Sequence, residues 1–279
     1  GTSWGPKISE LPNDATYGGN TDNKYTQQYG KQQGKYYVPQ RASAGLDPWV
    51  TPQAYDNAKE FFDTGITWSN SLNVAQMLDK SSYSISLGNT HQDGIISSTG
   101  MDRYNVKVSA DTKLTNNWSS GFTANYITTS IDKAVTSGNG LLRTVYAAPP
   151  SYDLAGIPSH VDGNQYTQNS FRGSFDNAYW AMDNNKFTED TNRFFGNVYA
   201  SYQTDFGTTN HKLNAKYMVG VDAYTTHYVD SYGYGSNTGG GRGQIENYGW
   251  TNATYNSLLT INYDWHINDD WGLNAVLGN

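Results

Sequence analysis

Five histidines, His91, His160, His211, His227 and His266, are the first side chains to weigh for chemistry. None stands in an HxH or HExxH spacing, so no two of them can grip one metal ion from a single strand or helical turn. Ser159, His160 and Asp162 share a loop, but the stretch lacks the strand-to-helix elbow that exposes a serine nucleophile. The glycines of Gly233-Tyr234-Gly235 and Gly239 to Gly243 have neither a strand-then-helix frame nor a Walker lysine. They read as a flexible external loop. The Asp-rich piece Asp176 to Asn185 lacks the ligand order of a calcium-binding EF-hand and reads as solvated loop. Cysteine is absent, which removes thiolate metal sites and thiol nucleophiles together. The expectation is a chain that is not an enzyme, with no catalytic residue, no metal and no cofactor.

Binding is the chemistry that remains. Aromatic rings sit in the stretches between periodic segments: Trp4, Tyr36, Tyr37, Trp49, Tyr179, Trp180, Tyr232 and Tyr234. Flat rings stack on sugars or pack against a partner surface, and they also pack on one another inside long loops. Trp4, Trp49, Tyr179, Trp180, Tyr232 and Tyr234 are the candidate ligand or partner contacts. A second set, Arg103, Lys107, Asp111, Lys113 and Lys216, alternates with apolar residues along extended segments and so belongs to one wet face.

The elements that hold these residues are strands. From Tyr104 the chain alternates: Tyr104, Val106, Val108, Ala110 and Leu114 fall on one side, with Arg103, Asn105, Lys107, Ser109, Asp111 and Lys113 on the other. Thr115-Asn116-Asn117 makes a tight turn, and Trp118, Phe122, Ala124 and Tyr126 resume the period of two. Ile66 to Val74, Tyr83 to Leu87, Phe194 to Tyr202, Leu213 to Val221, Tyr255 to Tyr263 and Trp271 to Ala275 repeat the pattern, for about eight strands. Residues 1–65 read as a loop segment, irregular to residue 50. Thr51-Pro52 then starts a helix over roughly 52–63. Residues 66–279 carry the strands, with long loops at about 130–190 and 230–245, the first holding a short helix from Leu141 to Ala147.

Short turns follow the first, third, fifth and seventh strands, and longer connections follow the others. Sorting of turns and loops to opposite rims is the layout of an outer-membrane barrel. Aromatics at strand ends (Tyr104, Trp118, Tyr126, Tyr202, Tyr263, Trp271) suit the girdles where rings meet headgroups. No run of about 18 apolar residues exists to make a spanning helix. The net charge of −7, without a dense basic cluster, argues against nucleic acid as a partner.

Several phrases resemble the SusC/RagA-type TonB-dependent transporters of the Bacteroidetes outer membrane. They begin with Ser3-Trp4-Gly5-Pro6 and Tyr55 to Gly65 (YDNAKEFFDTG), followed by Asp79-Lys80 before Ser81-Ser82-Tyr83. Asp93-Gly94-Ile95-Ile96, Met101-Asp102-Arg103-Tyr104 and Asn177-Ala178-Tyr179-Trp180 come next. Arg193 to Asn197 and Val219 to Tyr224 close the set. The resemblance implies a larger, 22-stranded type of barrel in the outer membrane of a Gram-negative bacterium. It further implies a plug domain, energy from TonB–ExbB–ExbD through an N-terminal part not contained here, and a SusD-like surface lipoprotein as lid. On that footing the chain is expected to be a mid-barrel segment of an all-β, transmembrane antiparallel β-barrel that imports oligosaccharides or peptides. Two other readings stay open at this point: a soluble secreted carbohydrate-binding β protein, and a complete eight-stranded barrel with a structural or adhesive role.

Overall fold

The computed structural model describes residues 5–135 and 140–279. Its frame is one antiparallel sheet of eight strands: β1 (Thr67–Met77), β2 (Ser81–Asp93), β3 (Gly100–Lys113), β4 (Trp118–Lys133), β5 (Lys186–Thr204), β6 (His211–Tyr232), β7 (Gln244–His266) and β8 (Gly272–Gly278). Each strand pairs with its neighbours in sequence, from β1 at one edge to β8 at the other. The two edges do not pair with each other, so the sheet is open.

Register divides the residues between two faces. The rows Ile85–Val108–Ala124–Gly196–Val221 and Leu87–Val106–Tyr126–Phe194–Ala223 are apolar across five strands. Trp118 and Tyr202 touch at 5.0 Å near the short-turn rim. Tyr104, Tyr126 and Phe194 border the band at the other side. Beyond them the same face turns polar: His91 lies 2.7 Å from Asp102, Ser130 donates to Asp190 at 2.6 Å, and the Thr225 and Thr251 hydroxyls meet at 3.0 Å. On β5 the band runs from Phe194 to Tyr202, about 27 Å of extended chain at ~3.4 Å per residue.

No second sheet covers this face among the described residues. Leu72, Val74, Ile85, Leu87, Phe122, Val198 and Tyr217 stand exposed, Val198 at 54%. A soluble sandwich would bury such residues between two sheets. The opposite face carries Ser82, Ser84, Lys107, Asn125, Asn197 and Asn256, and it is mostly polar, with Phe195, Met218 and Leu258 among the exceptions.

The core lies at one rim. Leu11, Tyr36, Val38 and Phe61 from the N-terminal segment pack with Leu141, Val145, Ala148, Tyr152, Leu154, Ile157 and Ala178, and with Ile96 from the 94–99 connection. Hydrogen bonds tie the two segments: Tyr36 Oη donates to the Ser151 carbonyl at 2.6 Å, and Tyr55 N donates to the Pro150 carbonyl at 2.7 Å. The result is a folded cap on the long-loop rim.

Residues 5–50 are therefore not the irregular segment that the composition of 1–50 suggests. They hold α1 (Lys24–Tyr29), α2 (Pro39–Ser43), a 3-10 turn at Ile8–Asn13 and a ladder pairing Tyr36–Tyr37 with Trp49–Val50. The helix expected over 52–63 is the shorter α3 (Asn57–Phe61), because Asp56 rather than Thr51 supplies the cap, its Oδ1 accepting from Lys59 N at 3.1 Å. The expected short helix is α4 (Leu141–Ala147), and a further helix, α5 (Ala178–Asn184), follows. The long interruptions are 134–185 and 233–243, shorter than expected. Strands β5, β6 and β7, at 19, 22 and 23 residues, run past the apolar band toward the cap. The connection at 94–99, expected to be longer than the turns, is no longer than the turn at 205–210; the other two, expected to be much longer, are so.

Candidate functional site

The polar face of the sheet, where β4 to β7 rise toward the cap, gathers side chains into a lattice. Register sets its rows. Nearest the cap, Lys133, Phe187, Asp230 and Glu246 lie side by side on β4, β5, β6 and β7. Next come Ile131, Glu189, Tyr228 and Tyr248, then Thr129, Thr191, Thr226 and Trp250. Cross-strand neighbours on one face stand close enough to interact directly. Tyr228 and Tyr248 stack at 5.0 Å and 8°, and Trp250 leans on Tyr228 at 5.2 Å. Lys133 Nζ sits 4.5 Å above the Tyr228 ring and 3.2 Å from Glu189 Oε2. Tyr248 Oη donates to Asp230 at 3.2 Å. Trp250 and Tyr248 remain 51% and 44% exposed, so the platform is open to a ligand.

Below it, Arg193 grips Asp222 through two hydrogen bonds, with the guanidinium 5.0 Å from the Phe195 ring. Farther down, Tyr199 Oη donates to Asp111 at 2.6 Å, and Lys216 Nζ lies 4.1 Å over the Tyr199 ring. Gly121 makes this reach possible. It lies between Asp111 and Tyr199 in register, and a Cβ there would come within 2.7 Å of the Tyr199 ring.

All five charged candidates, Arg103, Lys107, Asp111, Lys113 and Lys216, fall on this polar face by register. Of them, Asp111 and Lys216 are brought together through Tyr199. The aromatic candidates divide. Trp49 is buried edge-on to Tyr37, and Trp180 is fully buried with Nε1 donating to the Gln165 carbonyl at 2.7 Å. Both are cap core. Trp180 is placed by Asn177, whose Oδ1 caps α5 by accepting from Tyr179 N and Trp180 N. Tyr179 is partly buried, edge-on to Phe61. Tyr232 packs against Phe187, and Tyr234 is exposed against Tyr166. Trp4 lies outside the described residues. The sequence reading missed Tyr228, Tyr248 and Trp250; counting the period of two past Val221 puts Tyr224 and Tyr228 opposite Leu213 and Val219.

Burial sets the acid–base character of the cap. It pushes the Tyr36 phenol up to about 12, with Tyr55 adding to the rise, and raises Tyr152 further still, so both stay neutral. Tyr36 donates to the Ser151 carbonyl, while the Tyr152 hydroxyl is buried without a hydrogen-bond partner among the described residues.

No family model matches the chain, and no curated protein matches it. Sixteen chains of solved structures do. One belongs to the RagAB peptide importer in its closed-closed state, with a TM-score of 0.66 at 16% identity. What the two share is the fold. The match covers 81% of this chain and 25% of that one, so the present chain spans a quarter of the length of the solved chain it resembles.

Proposed function

We propose that this chain is a segment of an outer-membrane β-barrel of the SusC/RagA kind, importing oligosaccharides or peptides without covalent chemistry. The observation that carries the reading is the bare apolar band, bounded by Trp118 and Tyr202 on one side and by Tyr104, Tyr126 and Phe194 on the other. A band of this height with aromatic borders matches the hydrocarbon layer, which a β-strand crosses in about 9–11 residues. In this reading the short turns are periplasmic and the cap is extracellular. The polar face lines a lumen, and the Tyr228–Tyr248–Trp250 platform sits at its mouth. The open edges of β1 and β8 fit a wider barrel.

The remaining parts of the machine belong to the same proposal. A plug domain fills the lumen against Arg103, Lys107 and Lys113, and TonB–ExbB–ExbD supplies the pull that moves it. A SusD-like lipoprotein meets the cap. Heat-modifiable migration in detergent of the whole barrel protein that contains this chain, recovered in the outer-membrane fraction of a Gram-negative host, is the expected result. A chain that stays in the aqueous phase without detergent contradicts the reading.

A further inference from the structure

At the mouth of the polar face one ammonium is already bound, by the chain's own Lys133. Its Nζ lies over the Tyr228 ring and against Glu189, an aromatic face and a carboxylate acting on one cation. One strand over, the same pairing of groups recurs without a cation. Tyr248 presents an exposed ring in the row next to Asp230 and Glu246, and exposed Trp250 stands one row farther along the same face. Asp230 and Glu246 are direct cross-strand partners on one face, an arrangement of like charges that costs stability unless a cation lies between them. Among the described residues neither forms an ion pair. Their side-chain partners are neutral, Tyr248 Oη for Asp230 and Gln244 Nε2 for Glu246.

We infer that Tyr248, Trp250, Asp230 and Glu246 form a recognition site for an organic cation, a guanidinium or ammonium group carried by the ligand. The Lys133–Tyr228–Glu189 unit is its intramolecular counterpart. A planar guanidinium suits it best, since its fork donates to the two carboxylates while its plane lies against the adjoining aromatic ring. This deepens the importer reading and rests on it, because it places the site in the lumen mouth that a ligand must pass.

The test uses the whole barrel protein that contains this chain, in detergent micelles, first checked for heat-modifiable migration. An acetylated, amidated triarginine peptide and its tricitrulline counterpart, neutral but nearly the same shape, are titrated by calorimetry. Triarginine should bind about tenfold more tightly, the size of one cation–π contact joined to a partly screened charge pair. The double substitution Asp230→Asn/Glu246→Gln should erase most of that ratio, and Trp250→Ala, which leaves both carboxylates in place, should reduce it. A ratio near one overturns the assignment, as does a ratio untouched by both variants, which would put the cation elsewhere on an acidic protein. Loss of heat-modifiable migration contradicts the importer reading and takes this assignment with it. Intact migration with a ratio of one contradicts the cation site alone.

Discussion

Asp176 accepts a hydrogen bond from Ser236 at 2.6 Å, joining two loops that lie 60 residues apart in sequence. Its other oxygen accepts from Asn237 N, Asn237 Nδ2 and Gln168 Nε2 at 2.7, 2.8 and 2.7 Å. The carboxylate is buried, and its negative charge is met wholly by donors. It is the latch that holds the β6–β7 connection onto the cap. Asp176→Asn turns one acceptor into a donor facing donors, which should cost about 1–3 kcal/mol. Arg242, exposed in that connection, should then be cut by trypsin several-fold faster than in the parent; an unchanged cleavage rate would remove the latch from the account.

Trp180 and Trp250 should separate cleanly. Trp180 is fully buried in the cap, so Trp180→Ala should cost about 3–5 kcal/mol and expose the cap to protease. Trp250→Ala, at a half-exposed position, should leave unfolding midpoints nearly unchanged. Equal destabilisation by both would contradict the division between structural and ligand-facing aromatics.

Alkaline pH should loosen the cap. The Tyr36 phenol is raised from an ordinary value of 10.0 to about 12 by burial, and its hydroxyl donates to the Ser151 carbonyl. Between those values the unfolded chain has lost the proton that the folded chain retains, so stability is full below pH 10 and falls as pH rises toward 12. Tyr36→Phe removes this titration together with its hydrogen bond. Protease sensitivity of the cap followed against pH should rise across that window in the parent and rise less in the variant. Matching curves would sink the idea.

The two faces should respond oppositely to charge. Val108 lies mid-band between Ile85 and Ala124, so Val108→Arg should cost about 2–4 kcal/mol and abolish heat-modifiable migration. Lys107→Gln, one residue away on the polar face, should change stability by no more than about 0.5 kcal/mol. Similar losses from both would mean that the faces are assigned wrongly.

How much of this was legible in the sequence depended on the range of the contacts. The β3–β4 hairpin was readable because alternation is local: Val106 and Val108 reveal their face by their immediate neighbours. The cap was not. Tyr36 and Val38 are buried against Val145 and Leu154, more than a hundred residues away, and such packing imposes no local period. Trp49 and Trp180 looked like ligand contacts because a ring in a loop does not say whether another loop covers it. Tyr228, Tyr248 and Trp250 were missed for a different reason. Beyond the apolar band the outward face itself becomes polar, as at Thr225 and His227, so the contrast that marks the two faces fades while the strands continue.

The central claim is that the apolar band faces lipid and the opposite face faces water. The chain has no cysteine, so a single introduced thiol is a unique probe. Spin labels placed one at a time from Arg193 to Gln203 on β5, in the full chain reconstituted into liposomes, can be scored for collisions with oxygen and with a water-soluble nickel chelate. Positions 194, 196, 198, 200 and 202 should favour oxygen and the odd positions the nickel chelate, with a period of two. Uniform access of the nickel chelate to both sets would contradict the account.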